Sequence, residues 1–298
     1  MSGVPQGSVL GPLMFIIFIN DIDLAALNVT LMKKFADDTK LGQKIRNQED
    51  INTLQSTLEN LYNWSIDWGM QFNVEKCKVI HIGRTNPEHG YKINGKELKV
   101  VDEETDIGII IHKSLKPSRQ CMEAAKRAST VLTQLSRSFY YRDKHVFTQL
   151  YKQYVRPHLE FSVPAWSPWT ESDKETLEKV QKRFINMISG LTGKTYTEKL
   201  KEVGLWSLED RRIRYDMVET YKILHGVTKV NKTTWFTPIN QQSQHLTRLS
   251  SDHLNLSAPA AKLEIRRNFY SCRIIKQWNA PTVGSFKSQF DKHYYKNQ

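Results

Sequence analysis

The sequence predicts an α+β protein in which a half with short strands and helices precedes a basic, all-helical half. Short apolar segments separated by turn residues fill residues 1–112, whereas apolar residues recur at helical spacing after residue 113. Glycine accounts for only 14 of the 298 residues, which favours a helix-rich chain over a turn-rich β protein. The length of 298 residues allows two domains of ordinary size.

Charge divides the chain at the same place. Residues 1–112 contain 11 Lys and Arg against 15 Asp and Glu, whereas residues 113–298 contain 32 against 16. The basic half favours a polyanionic partner, and an ordinary basic protein surface is the alternative interpretation. The three cysteines lie far apart, which excludes a disulfide framework and suits a reducing, intracellular compartment.

The first half begins with a loop and an apolar helix. Residues 3–12 are dense in Pro and Gly, and the apolar run Val9–Ile19 has no Lys or Arg before it. This run is shorter than the ~20 residues of a bilayer span and lacks the cationic start of a signal peptide. We therefore expect a buried helix that ends near Ala26, with no membrane segment and no secretion.

A β-hairpin, a second helix and several short strands are expected next. Residues 29–35 and 40–45 resemble paired strands, with Asp37–Asp38 as the turn between them. The Asn47 and Asp50 pair has capping-box spacing at the start of a helix. The apolar face of that helix comprises Ile51, Leu54, Leu58 and Leu61, and Gly69 ends it. The short strands are 78–83, a hairpin over 91–101 that turns at Asn94–Gly95, and 107–112.

Four amphipathic helices are expected after residue 113. The first two have apolar faces at Met122, Ala125, Leu132, Leu135 and Phe139, and at Val146, Leu150, Tyr154 and their neighbours with a stop at Pro157. The other two begin at the capping pairs Ser172–Glu175 and Ser207–Asp210, and end at Gly190 and Gly226. Residues 227–262 are polar and typical of a loop, and an amphipathic basic segment, Leu263–Trp278, follows. The predicted domains are 1–112, 113–226 and 227–298.

Two neighbouring carboxylates are the first candidate for chemistry. Asp37 and Asp38 follow Phe35 and Ala36 at the predicted hairpin tip, where a pair of acids usually faces water or caps a turn. Two like charges held close together favour a bound cation, and carboxylate oxygens suit Mg²⁺, with Mn²⁺ as the alternative ion. Carboxylate-held Mg²⁺ beside a polyanion-binding half is the combination that phosphoryl transfer on nucleic acid requires.

A second candidate is the Pro/Gly loop near the start of the chain. Gly7 lets a ligand approach the backbone closely, Pro5 fixes the path of the chain, and the Gln6 amide can meet a base or sugar edge. The simpler interpretation is a tight turn before a helix.

Taken together, these motifs resemble the reverse transcriptases of non-LTR retrotransposons of the LINE type, including jockey-like elements. The resemblance rests on motifs that occur in the same order over nearly the whole chain: SGVPQGSVLGPLMFIIFINDI, FADDTKL, WGMQFNVEKCKV, Ile107–Gly108, LYKQYVRPHLEF, LEKVQKRFINMISG and GLWSLEDRRIRYDMVETYKILHG. It implies the palm of a reverse transcriptase, an antiparallel sheet with helices, followed by a helical thumb and a C-terminal extension.

The resemblance also implies roles for individual residues. Asp37 and Asp38 match the catalytic metal ligands, and Phe35 matches the aromatic position on the primer side. Pro5, Gln6 and Gly7 match the loop that lies against the incoming nucleotide and template. Lys76 matches a lysine suspected of acting as general acid toward pyrophosphate, and a solvated lysine at a strand end is the alternative. The implied partners are an RNA template, a DNA primer and dNTPs, and the implied location is the nucleus.

Departures from the family pattern limit what this chain is expected to do alone. The family carries a further aspartate on a preceding palm strand and basic nucleotide-gripping residues in its fingers, and this sequence contains neither. Two-metal catalysis needs carboxylates from two strands. We therefore expect the isolated chain to be inactive and to expose apolar surface, with another segment or chain supplying the missing parts.

A non-catalytic nucleic-acid-binding module of retrotransposon origin is the alternative function. In that case the basic half binds nucleic acid and the acids are idle. The cluster Arg211, Arg212 and Arg214 is the candidate contact, interpreted either as a solvated helix face or as a phosphate-binding site.

Overall fold

The computed structural model describes residues 7–239 and 255–280, and the chain divides into two compact units. Unit 1 comprises Met1–Glu104 with His112–Ser114, and unit 2 comprises Thr105–Ile111 with Leu115–Gln298. Short strands and helices occur together, so the predicted α+β class is confirmed. No helix among the described residues is both long enough and apolar enough to cross a membrane.

Unit 1 begins with helix α1 (Gly11–Phe18), followed by a 3₁₀ segment (Asn20–Ala26). The proline at the start of α1 is tolerated there because the first N–H groups of a helix have no partner within it. The prediction that this helix is buried is wrong: Leu13, Met14, Ile16 and Ile17 are each more than half exposed. Only its aromatic side chains pack against the unit 1 core, so the remaining apolar face is open to solvent.

Helix α2 (Gln48–Asp67) is the central element of unit 1, and strands β1 (Leu31–Phe35) and β2 (Asp38–Gly42) precede it as an antiparallel hairpin. The Asn47 side chain accepts a hydrogen bond from the Asp50 backbone N–H at 2.9 Å, which confirms the predicted cap. One end of α2 packs in a cluster around Ile51 and Leu58, and the other end packs in a cluster with Leu61 and Trp64.

The other strands of unit 1 are short. They are β3 (Lys78–Val79), β4 (Lys92–Ile93), β5 (Lys96–Glu97) and β6 (Lys99–Val100). The pair β7 (Glu103–Asp106) and β8 (Ile109–His112) follows in the chain, and its residues are divided between the two units. The predicted turn at Asn94–Gly95 joins β4 and β5, with positive φ at both residues as a type I′ turn requires. Strand β3 is shorter than predicted and pairs in parallel with β6.

Unit 2 is built on α3 (Ser118–Ser138), which packs against later helices of the same unit. Those helices are α4 (Lys144–Leu150), α5 (Arg156–Glu160), α6 (Val163–Trp166), α7 (Glu171–Asn186), α8 (Tyr196–Val203) and α9 (Leu208–Leu224). A π-helical turn, Tyr151–Val155, joins α4 to α5. The main core lies between these helices and contains the stacked rings of Tyr151 and Phe184, with centroids 4.1 Å apart.

Three predictions about these helices are wrong. Pro157 does not end the second helix, because the π turn precedes it and Pro157 lies in the first turn of α5. The buried face of that helix runs through Phe147, Tyr151, Val155 and Leu159, one residue later than predicted, and Val146 and Tyr154 are exposed. Helix α7 is capped by Thr170, which accepts from the Asp173 N–H, so the predicted cap at Ser172 is displaced.

A second apolar cluster of unit 2 joins the end of α9 to the C-terminal segment. The predicted cap of α9 is confirmed: the Asp210 N–H donates to Ser207 Oγ at 3.0 Å. The described parts of the predicted loop over 227–262 hold a short helix and a two-stranded pair, residues 240–254 of that loop lie outside the described residues, and the basic amphipathic segment forms three short helices. These elements are α10 (Lys232–Trp235), β9 (Thr237–Pro238), β10 (Leu256–Ser257), α11 (Glu264–Arg267), α12 (Tyr270–Arg273) and α13 (Ile275–Trp278).

Candidate functional site

The candidate acids lie at the tip of the β1–β2 hairpin. The ladder runs from Leu31 opposite Gly42 to Phe35 opposite Asp38, so the two turn residues are Ala36 and Asp37. The predicted turn at Asp37–Asp38 is therefore one residue too late, and Asp38 is the first residue of β2. Ala36 has a φ of +52°, a left-handed conformation that costs a non-glycine residue energy and often marks a functional position.

Side chains from its own unit hold this hairpin near its tip and at its open end. Lys34 Nζ donates to the carbonyl oxygens of Ile19 and Asn20, each at 3.2 Å, and pairs with Asp23 at 3.0 Å. The Thr30 backbone N–H donates to Gln43 Oε1 at 2.9 Å across the open end. These contacts fix the strands, so the tip is presented on a supported element.

Both carboxylates and the neighbouring aromatic ring are open to solvent. Asp37 and Asp38 are exposed, and Phe35 is 61% exposed. Hard oxygen donors on adjacent residues fit a divalent cation such as Mg²⁺, which usually keeps water or substrate phosphate among its ligands. Within residues 7–239 and 255–280 no group of three or more His, Cys, Asp or Glu could hold a metal ion. A metal ion bound by these two acids would therefore need further ligands.

The other residues predicted for this site are not joined to the acids. Gly7 is exposed with a φ of +82°, and Pro5 and Gln6 lie outside the described residues. Lys76 is exposed in a turn, where its N–H donates to the Asn73 carbonyl at 3.0 Å. Among the described residues, no ion pair or hydrogen bond links the Lys76 side chain to either aspartate. Its proposed role as general acid stays a prediction.

The arginine cluster on α9 does not form one solvated face. Arg211 makes a two-pronged ion pair with Glu160, in which Nη2 donates to Oε2 at 2.9 Å, and these hydrogen bonds raise the pKa of Arg211. Arg212 is only 4% exposed, and burial lowers its pKa. Arg214 is exposed. Arg211 is paired within unit 2 and Arg212 is buried there, so Arg214 is the most accessible of the three, and the predicted phosphate contact stays a prediction.

A cationic groove that the sequence analysis did not identify lies between α3 and α7. It encloses about 320 Å³, and its lining includes Lys126, Lys179 and Arg183 but no carboxylate. Lys179 and Arg183 are four residues apart on α7, a spacing that places them on one helix face. Apolar side chains, including Met122 and Val180, also line the groove. Charge spacing on the two helices was the available signal, but their pairing was not apparent from the sequence.

Comparisons with known proteins support one family. Residues 1–129 match the family described as reverse transcriptase (RNA-dependent DNA polymerase). The chain is 26% identical over 201 residues to the RNA-directed DNA polymerase from mobile element jockey of Drosophila melanogaster. This alignment covers 63% of this chain and 22% of the relative. The jockey protein of Drosophila funebris is also 26% identical, over 200 residues. The probable RNA-directed DNA polymerase from transposon X-element of Drosophila melanogaster is 22% identical over 198 residues.

The matches define how far the similarity extends. The chain spans 22% of the length of each of these curated relatives. No solved structure matches the chain. The similarity therefore supports the predicted resemblance to non-LTR retrotransposon reverse transcriptases, and the family match contains the hairpin with both candidate acids.

Proposed function

We propose, from the premise that residues 1–129 belong to the reverse transcriptase family, that this chain is part of an RNA-directed DNA polymerase of a non-LTR retrotransposon. The reaction is nucleotidyl transfer from a dNTP to a primer 3′ end on an RNA template. The observation that carries this proposal is the supported hairpin that presents Asp37 and Asp38 together at its tip within the family match.

The residues at the hairpin tip have different proposed roles, metal binding for the two aspartates and primer packing for Phe35. Asp37, in the turn, and Asp38, at the start of β2, would supply carboxylate oxygens to a divalent metal ion. A divalent ion bound there, Mg²⁺ or Mn²⁺, would offset the negative charge of the phosphates during transfer. Phe35 forms the last strand pair with Asp38, so its exposed ring lies beside the acids and can pack against a primer nucleotide.

Unit 2 supplies the charge that a template–primer duplex needs. The groove cations Lys126, Lys179 and Arg183 face one opening with no carboxylate lining it. Such a groove suits a phosphate backbone, because phosphate contacts from Lys and Arg provide affinity that does not depend on sequence. The RNA template and DNA primer are therefore proposed as its ligands.

The 298-residue chain alone is expected not to extend a primer. Two-metal catalysis places ions ~3.5–4 Å apart and holds them with carboxylates from more than one element. The described residues offer only the Asp37–Asp38 pair at the hairpin tip. Another segment or chain would supply the remaining carboxylate and the groups that grip the nucleotide.

A chimera tests the proposed chemistry. Residues 1–129 of this chain would replace the matching residues of the jockey polymerase, and primer extension on an RNA template would be measured. We expect extension by the chimera, and a loss of at least ~10²-fold with Asp37→Ala or Asp38→Ala, because electrostatic stabilisation of this kind is worth several kcal/mol. Asp67→Ala, at an exposed acid near the end of α2, is the matched control and should retain activity.

Two results would contradict this assignment. The first is full activity of the chimera after Asp37→Ala. The second is full activity after Asp38→Ala. Template-dependent extension by the unfused 298-residue chain would instead overturn the expectation that this chain is inactive alone.

A non-catalytic binding module is the second candidate, and the cationic groove favours it. A module would bind a primer–template duplex equally well with and without Asp37→Ala, and metal ions would not change the affinity. A metal-dependent increase in duplex affinity that disappears in Asp37→Ala would exclude the module and favour the polymerase.

A further inference from the structure

Two exposed aromatic rings, one just before α9 and one within it, each lie next to the guanidinium group of an arginine. The Arg214 guanidinium carbon lies 5.4 Å from the ring centroid of Trp206, and that of Arg211 lies 5.8 Å from the ring centroid of Tyr215. Trp206 is 53% exposed and Tyr215 is 41% exposed. Each arginine therefore supports a large ring that is still accessible to a ligand.

The four side chains lie on one side of α9. At ~100° per residue, Arg214 and Tyr215 flank Arg211 within about a third of a turn. Trp206 stands just before the helix, and its ring reaches the side chain of Arg214. We call this set, Trp206, Arg211, Arg214 and Tyr215, the aromatic–arginine face.

Contacts within unit 2 hold this face in place. The Trp206 carbonyl accepts a hydrogen bond from Gln181 Nε2 at 3.0 Å, and Gln181 is fully buried. Arg211 is fixed by its ion pair with Glu160. The backbone at Trp206 and the guanidinium beside Tyr215 are therefore held before a ligand binds, which reduces the conformational entropy lost on binding.

The nearby carboxylates have other partners. Glu209 pairs with Lys174 at 2.8 Å, and Asp210 accepts from the Ser207 hydroxyl at 2.6 Å. The part of the chain after residue 112 carries twice as many Lys and Arg as Asp and Glu. The surroundings therefore favour an anionic ligand that also presents flat faces.

We propose that the aromatic–arginine face binds an unpaired stretch of nucleic acid, with bases stacked on Trp206 and Tyr215 and a phosphate near Arg214. Bases stack on aromatic side chains with little regard to sequence, and arginine adds charge attraction and cation–π support. Paired bases inside a duplex do not expose their faces, so the ligand is single-stranded. This site uses neither Asp37 nor Asp38, and it goes beyond the polymerase function proposed above.

Binding of short labelled DNA strands to the full 298-residue chain tests this inference. Fluorescence anisotropy would compare a 12-nucleotide strand with an abasic strand of equal length and charge, without metal ions or dNTPs. Stacking is worth ~1–3 kcal/mol per base, so we expect the abasic strand to bind roughly tenfold or more weakly. The same strand in a fully paired duplex should bind this face no better than the abasic strand.

Substitutions at Trp206 and Tyr215 test whether these rings account for the difference in affinity between normal and abasic strands. Trp206→Leu and Tyr215→Leu should each remove most of the preference for bases over abasic sites, whereas Trp206→Phe and Tyr215→Phe should retain it. Tyr140→Leu, at a fully exposed ring elsewhere in unit 2, is the matched control and should change nothing. Circular dichroism of each variant checks folding, and the abasic comparison on the unaltered chain does not depend on any variant.

Three outcomes would overturn the inference: equal affinity for normal and abasic strands, an unchanged preference in both leucine variants, or tighter binding of the duplex through these rings. Failure of primer extension in the jockey chimera would leave this binding intact. The two proposals therefore fail separately.

Discussion

Arg273 is the residue on which the docking of the C-terminal segment depends most directly. Its guanidinium donates to both carboxylate oxygens of Asp216 on α9, at 2.8 and 2.9 Å, and to the carbonyl of Pro164 on α6 at 2.8 Å. Asp216 is 5% exposed, and burial raises its pKa even though Arg273 acts in the opposite direction. One side chain thus links three helices of unit 2 and offsets a buried negative charge.

Removing Arg273 should therefore be costly at neutral pH. We expect Arg273→Met to lower the free energy of unfolding by about 3–5 kcal/mol, because it leaves an uncompensated buried carboxylate. A carboxyl group whose pKa is higher in the folded than in the unfolded protein stabilises the fold at low pH. This stabilisation is lost as the pH rises through the pKa of the folded protein. The cost of Arg273→Met should accordingly be smaller at pH 4 than at pH 7, as measured by urea unfolding.

Two comparisons complete this test. Arg267→Met is the control, since Arg267 lies on the same segment but is exposed, and within the described part of the chain its side chain donates to the Ala261 carbonyl. The double variant Asp216→Asn with Arg273→Met should recover part of the loss, because the buried charge is gone. Equal effects of Arg273→Met and Arg267→Met would show that the ion pair does not stabilise the segment.

At the scale of elements, the sequence predicted correctly those caps and turns that depend on residues close together in the chain. Asn47, Ser207 and the Asn94–Gly95 turn act through atoms a few residues away, and all three occur as predicted. The hairpin was also predicted, but its turn was displaced by one residue because the pairing of Phe35 with Asp38 fixes the register. Register depends on the packing of both strands, which a local pattern does not specify.

Long-range contacts explain two of the remaining errors, and a third is a local signal that was overlooked. The buried face of α4 and α5 is set by the π turn and by stacking of Tyr151 on Phe184, which lie far apart in sequence. Helix α8 was missed although Thr195 and Glu198 form a capping box at its start. The cationic groove requires knowing that α3 and α7 are neighbours. The candidate acids were identified because they are adjacent in sequence.

The conformation of Ala36 makes the hairpin tip sensitive to substitution. A β-branched residue is a marked outlier at positive φ, whereas glycine adopts it without steric cost. We expect Ala36→Val to lower the free energy of unfolding by ~1–3 kcal/mol. Ala36→Gly should be nearly neutral, since relief of strain is offset by the greater entropy of the unfolded chain. Urea unfolding of both variants measures this, and equal stabilities would exclude strain at the tip.

At the scale of the whole molecule, apolar exposure in unit 1 should govern solution behaviour. Val9 is 94% exposed, and much of α1 presents aliphatic side chains to solvent with no charged residue in its first or last turn. Contiguous apolar patches larger than a few hundred Å² are rare on monomeric proteins and promote association. This agrees with the expectation that the isolated chain exposes apolar surface.

Polar substitutions on α1 should therefore reduce self-association. We expect the double variant Leu13→Gln with Ile17→Gln, one helical turn apart, to sediment as a smaller species than the unaltered chain at equal concentration. Leu115→Gln, at an exposed leucine outside α1, is the control and should leave the distribution unchanged. Identical sedimentation of the α1 variant and the unaltered chain would show that this helix does not mediate association.

The basic half should govern how nucleic acid binding responds to salt. Each phosphate contact contributes a slope of about −0.9 to the dependence of log affinity on log salt for duplex DNA. If the α3–α7 groove holds a backbone, Lys126→Gln and Lys179→Gln should each weaken duplex binding and reduce this slope by about one phosphate contact. Lys229→Gln, at an exposed lysine outside the groove, is the matched control. Because both substitutions remove one positive charge, equal slopes for groove and control variants would mean that net charge, rather than the groove, accounts for binding.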